Sequence, residues 1–164
     1  KFYIDSYLRK SYKFVIISIY KMIREEFELK LAANIEDARQ YFCNPENILK
    51  YVKQFKEIKQ LDNELYLVKL RWLISLDFKV TRNIISSPNS AIITYKVVHE
   101  GFPKIDGTLE HIITKNSREN CTIVKIIFIY NGPFNTIARR ESKIIFERVT
   151  KEIINDFINK VQYS

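Results

Sequence analysis

A long amphipathic stretch closes the chain and is its clearest pattern. It begins at Asn131-Gly132-Pro133, after which no glycine or proline follows. Apolar side chains then recur at helical spacing, at Phe134, Ile137, Ile145, Val149, Ile153 and Phe157. This spacing predicts one long helix with a single apolar face, and proline suits its first turn. Such a face requires a partner of similar length.

Shorter patterns precede this helix. Residues 24–33 alternate apolar and charged side chains, which predicts a half-buried strand. Asn34 can cap a short helix over residues 35–42, and Asn44-Pro45 can start a second over residues 45–52. Six further strands are predicted between turn signals, over residues 55–61, 64–71, 72–85, 91–98, 104–114 and 121–130.

Strands that follow one another through short turns form an antiparallel meander. One strand, two short helices, six strands and a long helix therefore predict an α+β fold. In it, a curved antiparallel sheet of about seven strands wraps around the C-terminal helix.

The period of two along each strand predicts which side chains face the helix. We expect an apolar ligand to contact a set drawn from this inner face and from the helix: Trp72, Leu76, Phe78, Tyr95, Val97, Leu109, His111, Ile126, Phe128, Tyr130, Ile137 and Ile145. The same alternation places Ile74 inside. His99 continues it by count, but it precedes Gly101 and is interpreted as a loop residue.

His111 is the polar exception on this inner face. One polar group among many apolar ones is typical of a site for a lipid or an aromatic ligand. The other interpretation is a core histidine that is satisfied by a tyrosine or a water. The sequence leaves both open.

Charge and composition narrow the function. The 164 residues carry a formal charge of +8, but the basic residues are spread among acidic ones. This distribution favours a solvated surface over a nucleic-acid face, and leaves a transient contact with anionic membranes as an alternative. Basic residues that could meet a carboxylate head group are Arg71, Arg139, Arg140 and Lys143. No spacing predicts a metal site, a cofactor loop or a catalytic constellation.

The N-terminal residues 1–21 are interpreted as an extension, and residues 22–164 as the ligand-binding domain. Cys43 and Cys121 are expected to be a reduced pair in the cytoplasm, although their spacing leaves a disulfide open. The oligomeric state does not follow from the sequence.

The order of elements resembles the helix-grip fold of START-related lipid-transfer domains, birch-pollen allergen relatives and polyketide cyclases. Residues 27–49 are similar to the opening of that superfamily, and Asn131-Gly132-Pro133-Phe134 is similar to its junction between the last strand and the helix. The lysine- and isoleucine-rich style is similar to that of thermoacidophilic archaeal proteins regarded as fatty-acid carriers. This resemblance implies a long-chain fatty acid held between sheet and helix.

The leading hypothesis is therefore non-enzymatic carriage of a long apolar ligand, most simply a fatty acid, without a cofactor. The alternative is an enzyme of the cyclase or hydratase kind, acting on an aromatic or polyketide-like substrate in the same cavity. In that case His111 and a tyrosine would act as acid and base.

Overall fold

The computed structural model of the protein describes residues 22–71, 73–133 and 135–162, with side-chain burial up to Phe157. The predicted extension over residues 1–21 lies outside the described residues, as do Trp72 and Phe134.

Seven strands of the described part form one antiparallel sheet, in the order β1-β7-β6-β5-β4-β3-β2. The elements in chain order are β1 (Ile23–Leu31), α1 (Ile35–Cys43), α2 (Glu46–Leu49), β2 (Phe55–Gln60), β3 (Leu65–Arg71), β4 (Ser75–Ser87), β5 (Ser90–His99), β6 (Ile105–Asn116), β7 (Cys121–Asn131) and α3 (Asn135–Gln162). The predicted α+β helix-grip architecture is confirmed.

The two short helices show how local signals set their ends. The side chain of Asn34 accepts a hydrogen bond from the Asp37 amide at 2.8 Å, which caps α1 as predicted. Helix α2 is shorter than the predicted residues 45–52. Past Leu49 the amides of Tyr51 and Val52 bond to carbonyls three residues back, so the chain tightens and leaves the helix.

Helix α3 lies along the β1 and β7 side of the sheet. The ring of Phe146 stacks on Phe27, with 4.2 Å between centroids. Further along α3, the Asp156 carboxylate accepts hydrogen bonds from the hydroxyls of Tyr41 and Tyr51. These bonds fix the later turns of α3 to the α1–α2 segment.

The strand register defines two ends of the sheet. At the upper end, β3 turns into β4 through Leu73 and Ile74, β5 turns into β6 through residues 101–103, and β7 leads into α3. At the lower end, α1 packs over β5 and β6.

Ile74 was predicted to face inward, and this is wrong. Strand β3 ends at Arg71 and β4 starts only at Ser75, so the turn interrupts the alternation and leaves Ile74 exposed.

Candidate functional site

The inner face of the sheet changes in burial from the lower to the upper end. Under α1, the inner residues Ile93, Ile113, Val124 and Ile126 are at most 2% exposed. Toward the upper end, inner-face side chains on the same three strands retain accessible surface, namely Val97 on β5, Leu109 on β6 and Phe128 on β7.

These partly exposed side chains form one surface. Leu109 pairs directly with Phe128, and Val97 pairs with Gly107, the inner position next to Leu109 on β6. On the α3 side, Ile145 is also only partly buried against the core. We call Val97, Leu109 and Phe128 the inner apolar surface.

Other predicted contact residues border this surface. Leu76 and Phe78 of β4 are buried, on the side away from β7. Tyr130 continues the inner face beyond Phe128, but its hydroxyl donates to the Pro133 carbonyl at 2.6 Å. It therefore ties the start of the α3 connection to β7.

The remaining predicted contacts lie elsewhere. Tyr95, His111 and Ile126 are buried in the core, and Tyr95 pairs directly with Leu109 across the sheet. Ile137, near the start of α3, is 54% exposed. The structure thus brings together about half of the predicted set.

His111 is enclosed by aromatic side chains. Its ring lies 4.8 Å from that of Phe42 and 6.0 Å from that of Tyr95, measured between centroids. Burial lowers the pKa of His111 from 6.5 to about 3, and the backbone of Ile93 offsets only part of this effect. The ring is therefore neutral at physiological pH.

No hydrogen-bond partner of either His111 ring nitrogen occurs among the described residues. The tyrosine partner expected for a core histidine is not available, because the Tyr95 hydroxyl donates to the Phe42 carbonyl at 2.6 Å. His111 occupies the inner face as predicted, but as a buried residue beneath α1.

The four predicted head-group residues do not converge. Arg71 and Lys143 are exposed. Arg139 forms an ion pair with Glu25 at 3.2 Å, and Arg140 lies 3.5 Å from Glu141. These contacts are typical of a solvated surface, where ion pairs contribute little to stability.

His99 was interpreted as a loop residue, and this is wrong. It ends β5 on the inner face, where its ring packs 5.5 Å from that of Phe78. The signal that could have placed it was available, since His99 continues the alternation of Tyr95 and Val97. The following Gly101 led to the loop interpretation.

A separate pocket of about 350 Å³ lies between α1, α2 and strands β2 to β4. It is lined by Gln40, Cys43, Asn44, Glu46, Ile58, Gln60, Tyr66 and Arg82, none of which was predicted as a site residue. The guanidinium of Arg82 donates to the carbonyls of Cys43 and Asn63, each at 2.6 Å. These bonds link β4 to α1 and to the β2–β3 turn.

The thiols of Cys43 and Cys121 are free, and burial raises the pKa of Cys43. Across the described ranges, no group of three or more His, Cys, Asp or Glu side chains is arranged to hold a metal ion. No helix in those same ranges combines the length and apolar character needed to cross a membrane.

Comparison with known proteins identifies others with this architecture. A protein-family model matches residues 22–163. Together with the solved structures described next, this match shows that the chain has a START and Bet v 1-like fold. No curated protein shows significant sequence similarity to it.

Several solved structures share this fold at low sequence identity. A START superfamily protein from Mycobacterium smegmatis has a TM-score of 0.57 and 10% identity, covering 84% of this chain and 97% of its own. The protein Ara h 8.0201 has a TM-score of 0.53 and 10% identity, covering 82% of this chain and 99% of its own. Norcoclaurine synthase from Thalictrum flavum has a TM-score of 0.51 and 9% identity, covering 83% and 88%. Proteins with this fold thus include ligand binders and enzymes.

Proposed function

We propose that this protein binds and carries a long apolar small molecule, with a long-chain fatty acid as the leading candidate. The ligand would lie on the inner apolar surface, between the upper half of the sheet and α3. The observation that carries this proposal is the loss of burial toward the upper end of three neighbouring strands, at Val97, Leu109 and Phe128.

An apolar ligand would complete the burial of these side chains. Each methylene group transferred from water contributes about 0.8 kcal/mol. A chain of several methylenes thus needs few polar contacts to bind tightly. We choose a fatty acid because the amino-acid composition of this chain is similar to that of the thermoacidophilic archaeal carriers. Membership of that group and the cytoplasmic location expected from the sequence are both part of the proposal.

The enzyme alternative has weaker support. Its acid and base would be His111 and a tyrosine, but His111 is buried beneath α1. The hydroxyl of Tyr95 already donates to a backbone carbonyl. A general acid or base must come within hydrogen-bond reach of its substrate, and neither group lies on the inner apolar surface.

A transient membrane contact at the upper end would let such a ligand enter and leave. In the turns at that end, Leu73 is 102% exposed and Phe102 is 92% exposed. The exposed basic residues Arg71 and Lys104 flank these turns. Apolar tips beside positive charge suit the interface of an anionic bilayer.

Carriage is tested by extracting lipid from purified, denatured protein for mass spectrometry, and by displacement of cis-parinaric acid with palmitate. Val97→Trp should fill space at the inner apolar surface and weaken parinarate binding at least about tenfold, because overfilling a packed space is costly. Lys96→Trp places the same ring on the outer face of β5 and should bind within about twofold of the parent. If no lipid is extracted and no probe binds, or if both variants bind alike, the proposal is wrong.

Membrane contact is tested by flotation with phosphatidylglycerol-containing liposomes at low and high salt. Phe102→Ser should reduce flotation, because it removes an apolar tip at the upper end. Ile85→Ser is the matched control, since Ile85 is also exposed but lies toward the lower end. Equal loss with both variants would contradict docking by the upper end.

A further inference from the structure

The ring of His99 is held in one orientation by β4. Its Nδ1 lies 2.8 Å from the backbone carbonyl oxygen of Asp77. A carbonyl only accepts hydrogen bonds, so Nδ1 must carry the proton and donate. The contact with Phe78 holds the ring from a second side.

The other ring nitrogen, Nε2, is the atom that could contact a ligand. Nε2 of His99 is buried and has no hydrogen-bond partner among the described residues. A Cβ built on Gly101 would lie 2.9 Å from it, so the glycine backbone of the β5–β6 turn covers this atom closely. In a neutral ring with the proton on Nδ1, Nε2 is a hydrogen-bond acceptor, and leaving it buried and unpaired is unfavourable.

This acceptor lies at the polar end of the inner apolar surface. His99 follows Val97 on the inner face of β5, one inner position closer to the upper end. Its cover, residues 101–103, includes the exposed Phe102, which packs against little of the protein. The cover is thus held by few contacts.

We propose that Nε2 of His99 accepts a hydrogen bond from the polar end of the carried ligand, with residues 101–103 moving aside. This inference rests on the proposed carriage of an apolar ligand and specifies its polar end. Because the atom is an acceptor, the polar end is a donor: a hydroxyl or an un-ionised carboxyl group.

No charged group among the described residues pairs with this nitrogen. Asp77 on β4, Glu100 after β5 and Lys104 before β6 are the neighbouring charged residues, and all three are exposed. An ionised carboxylate has no donor, so a fatty acid would bind to this acceptor as its un-ionised form, with the ligand taking up one proton.

The first test uses nitrogen-15 NMR of the histidine rings with 1-dodecanol as the probe. The chain contains two histidines, and a His111→Leu variant assigns the resonances. We expect dodecanol to shift the Nε2 resonance of His99, whereas dodecyl methyl ether, which has no donor, should leave it unchanged. Binding of dodecanol without a shift would overturn the inference while leaving carriage intact. Binding of neither probe would overturn both.

The second test separates ligand recognition from a structural role. In His99→Asn the side-chain amide can still donate to the Asp77 carbonyl, but the acceptor at Nε2 is lost. The parent should prefer dodecanol over the ether about three- to tenfold, the range expected for one neutral hydrogen bond. In His99→Asn this preference should fall to about one, because only dodecanol loses a hydrogen-bond acceptor. An unchanged preference for dodecanol, or equal loss of both affinities, would refute the assignment.

The third test varies pH with laurate. Between pH 7.5 and 8.5 an ordinary carboxyl group is deprotonated in water. If laurate binding takes up one proton, raising the pH from 7.5 to 8.5 should weaken it about tenfold, whereas dodecanol binding should stay constant. Laurate affinity that is independent of pH would contradict a donor at the polar end.

Discussion

Replacing His111 with leucine should raise stability, and should do so increasingly at acid pH. Leucine is similar in volume and removes two ring nitrogens, neither of which has a hydrogen-bond partner in the described part of the chain. An unpaired buried polar group costs about 1–3 kcal/mol. At pH 7.5 we expect His111→Leu to raise the free energy of unfolding by about 1 kcal/mol, because imperfect packing offsets part of the gain.

The pH dependence is the sharper part of this prediction. The pKa of His111 is about 3 in the folded protein and 6.5 in an ordinary environment. Between these values the unfolded state binds a proton that the folded state does not, so the parent loses stability as pH falls through this window. The slope is about 1.4 kcal/mol per pH unit. At pH 4.5, two units below the unfolded pKa, the advantage of the variant should have grown by close to 3 kcal/mol.

The measurement is urea unfolding followed by far-ultraviolet circular dichroism at pH 7.5, 5.5 and 4.5. Urea m values should be equal for parent and variant, so that midpoints report stability. Ile93→Val is the control, since Ile93 pairs with His111 across the sheet and does not titrate. Its cost of about 1 kcal/mol should be the same at all three pH values. If the advantage of His111→Leu is also constant, His111 titrates normally and the description of its surroundings is wrong.

Two further changes test contacts that position the site. Asp156→Ala should destabilise the protein by about 2 kcal/mol in thermal unfolding, because it leaves the hydroxyls of Tyr41 and Tyr51 without their shared acceptor. Adding Tyr51→Phe to this variant should cause no further loss of stability. Additive losses from the two substitutions would contradict the shared hydrogen bond. Burial raises the pKa of Asp156, but its hydrogen bonds outweigh this effect and leave the pKa below 3.8. The stability that the ionised Asp156 carboxylate contributes should therefore be lost as the pH falls through this lowered pKa. Gly107→Ala should destabilise the protein by about 1–3 kcal/mol in the same assay, since the new Cβ would lie 2.7 Å from the Ile129 carbonyl oxygen and the backbone must shift. An unchanged melting temperature would show that β6 and β7 can move apart at Gly107 without loss of stability.

Much of the fold was readable from local patterns. The alternation Val124, Ile126, Phe128 predicts both the strand and its inner face, because side chains on a strand point to opposite sides in turn. Asn34 and the acidic residues after it predict the start of α1 for an equally local reason, the unpaired amides of a first helical turn. Such signals depend only on neighbours along the chain, and the order of elements then leaves few topologies.

Local alternation also has a limit, which His99 and Ile74 show. The alternation of inner and outer positions predicts that both side chains face inward, yet only His99 lies within a strand. The difference depends on where the β3–β4 turn begins and on how the β5–β6 turn folds over the imidazole. Gly101 permits that close approach, and its place over Nε2 cannot be read from the sequence around it.

The sequence alone thus determined the α+β class, the order of the elements along the chain and most of the inner side chains. Only the tertiary structure decided which of them are covered. His111 and Val97 have the same inner orientation, but α1 lies over the first, and the second retains accessible surface. The physical reason is that side-chain orientation alternates along a strand and therefore follows from the local backbone. Burial depends instead on where a helix distant in sequence packs, which the alternation along a strand does not predict.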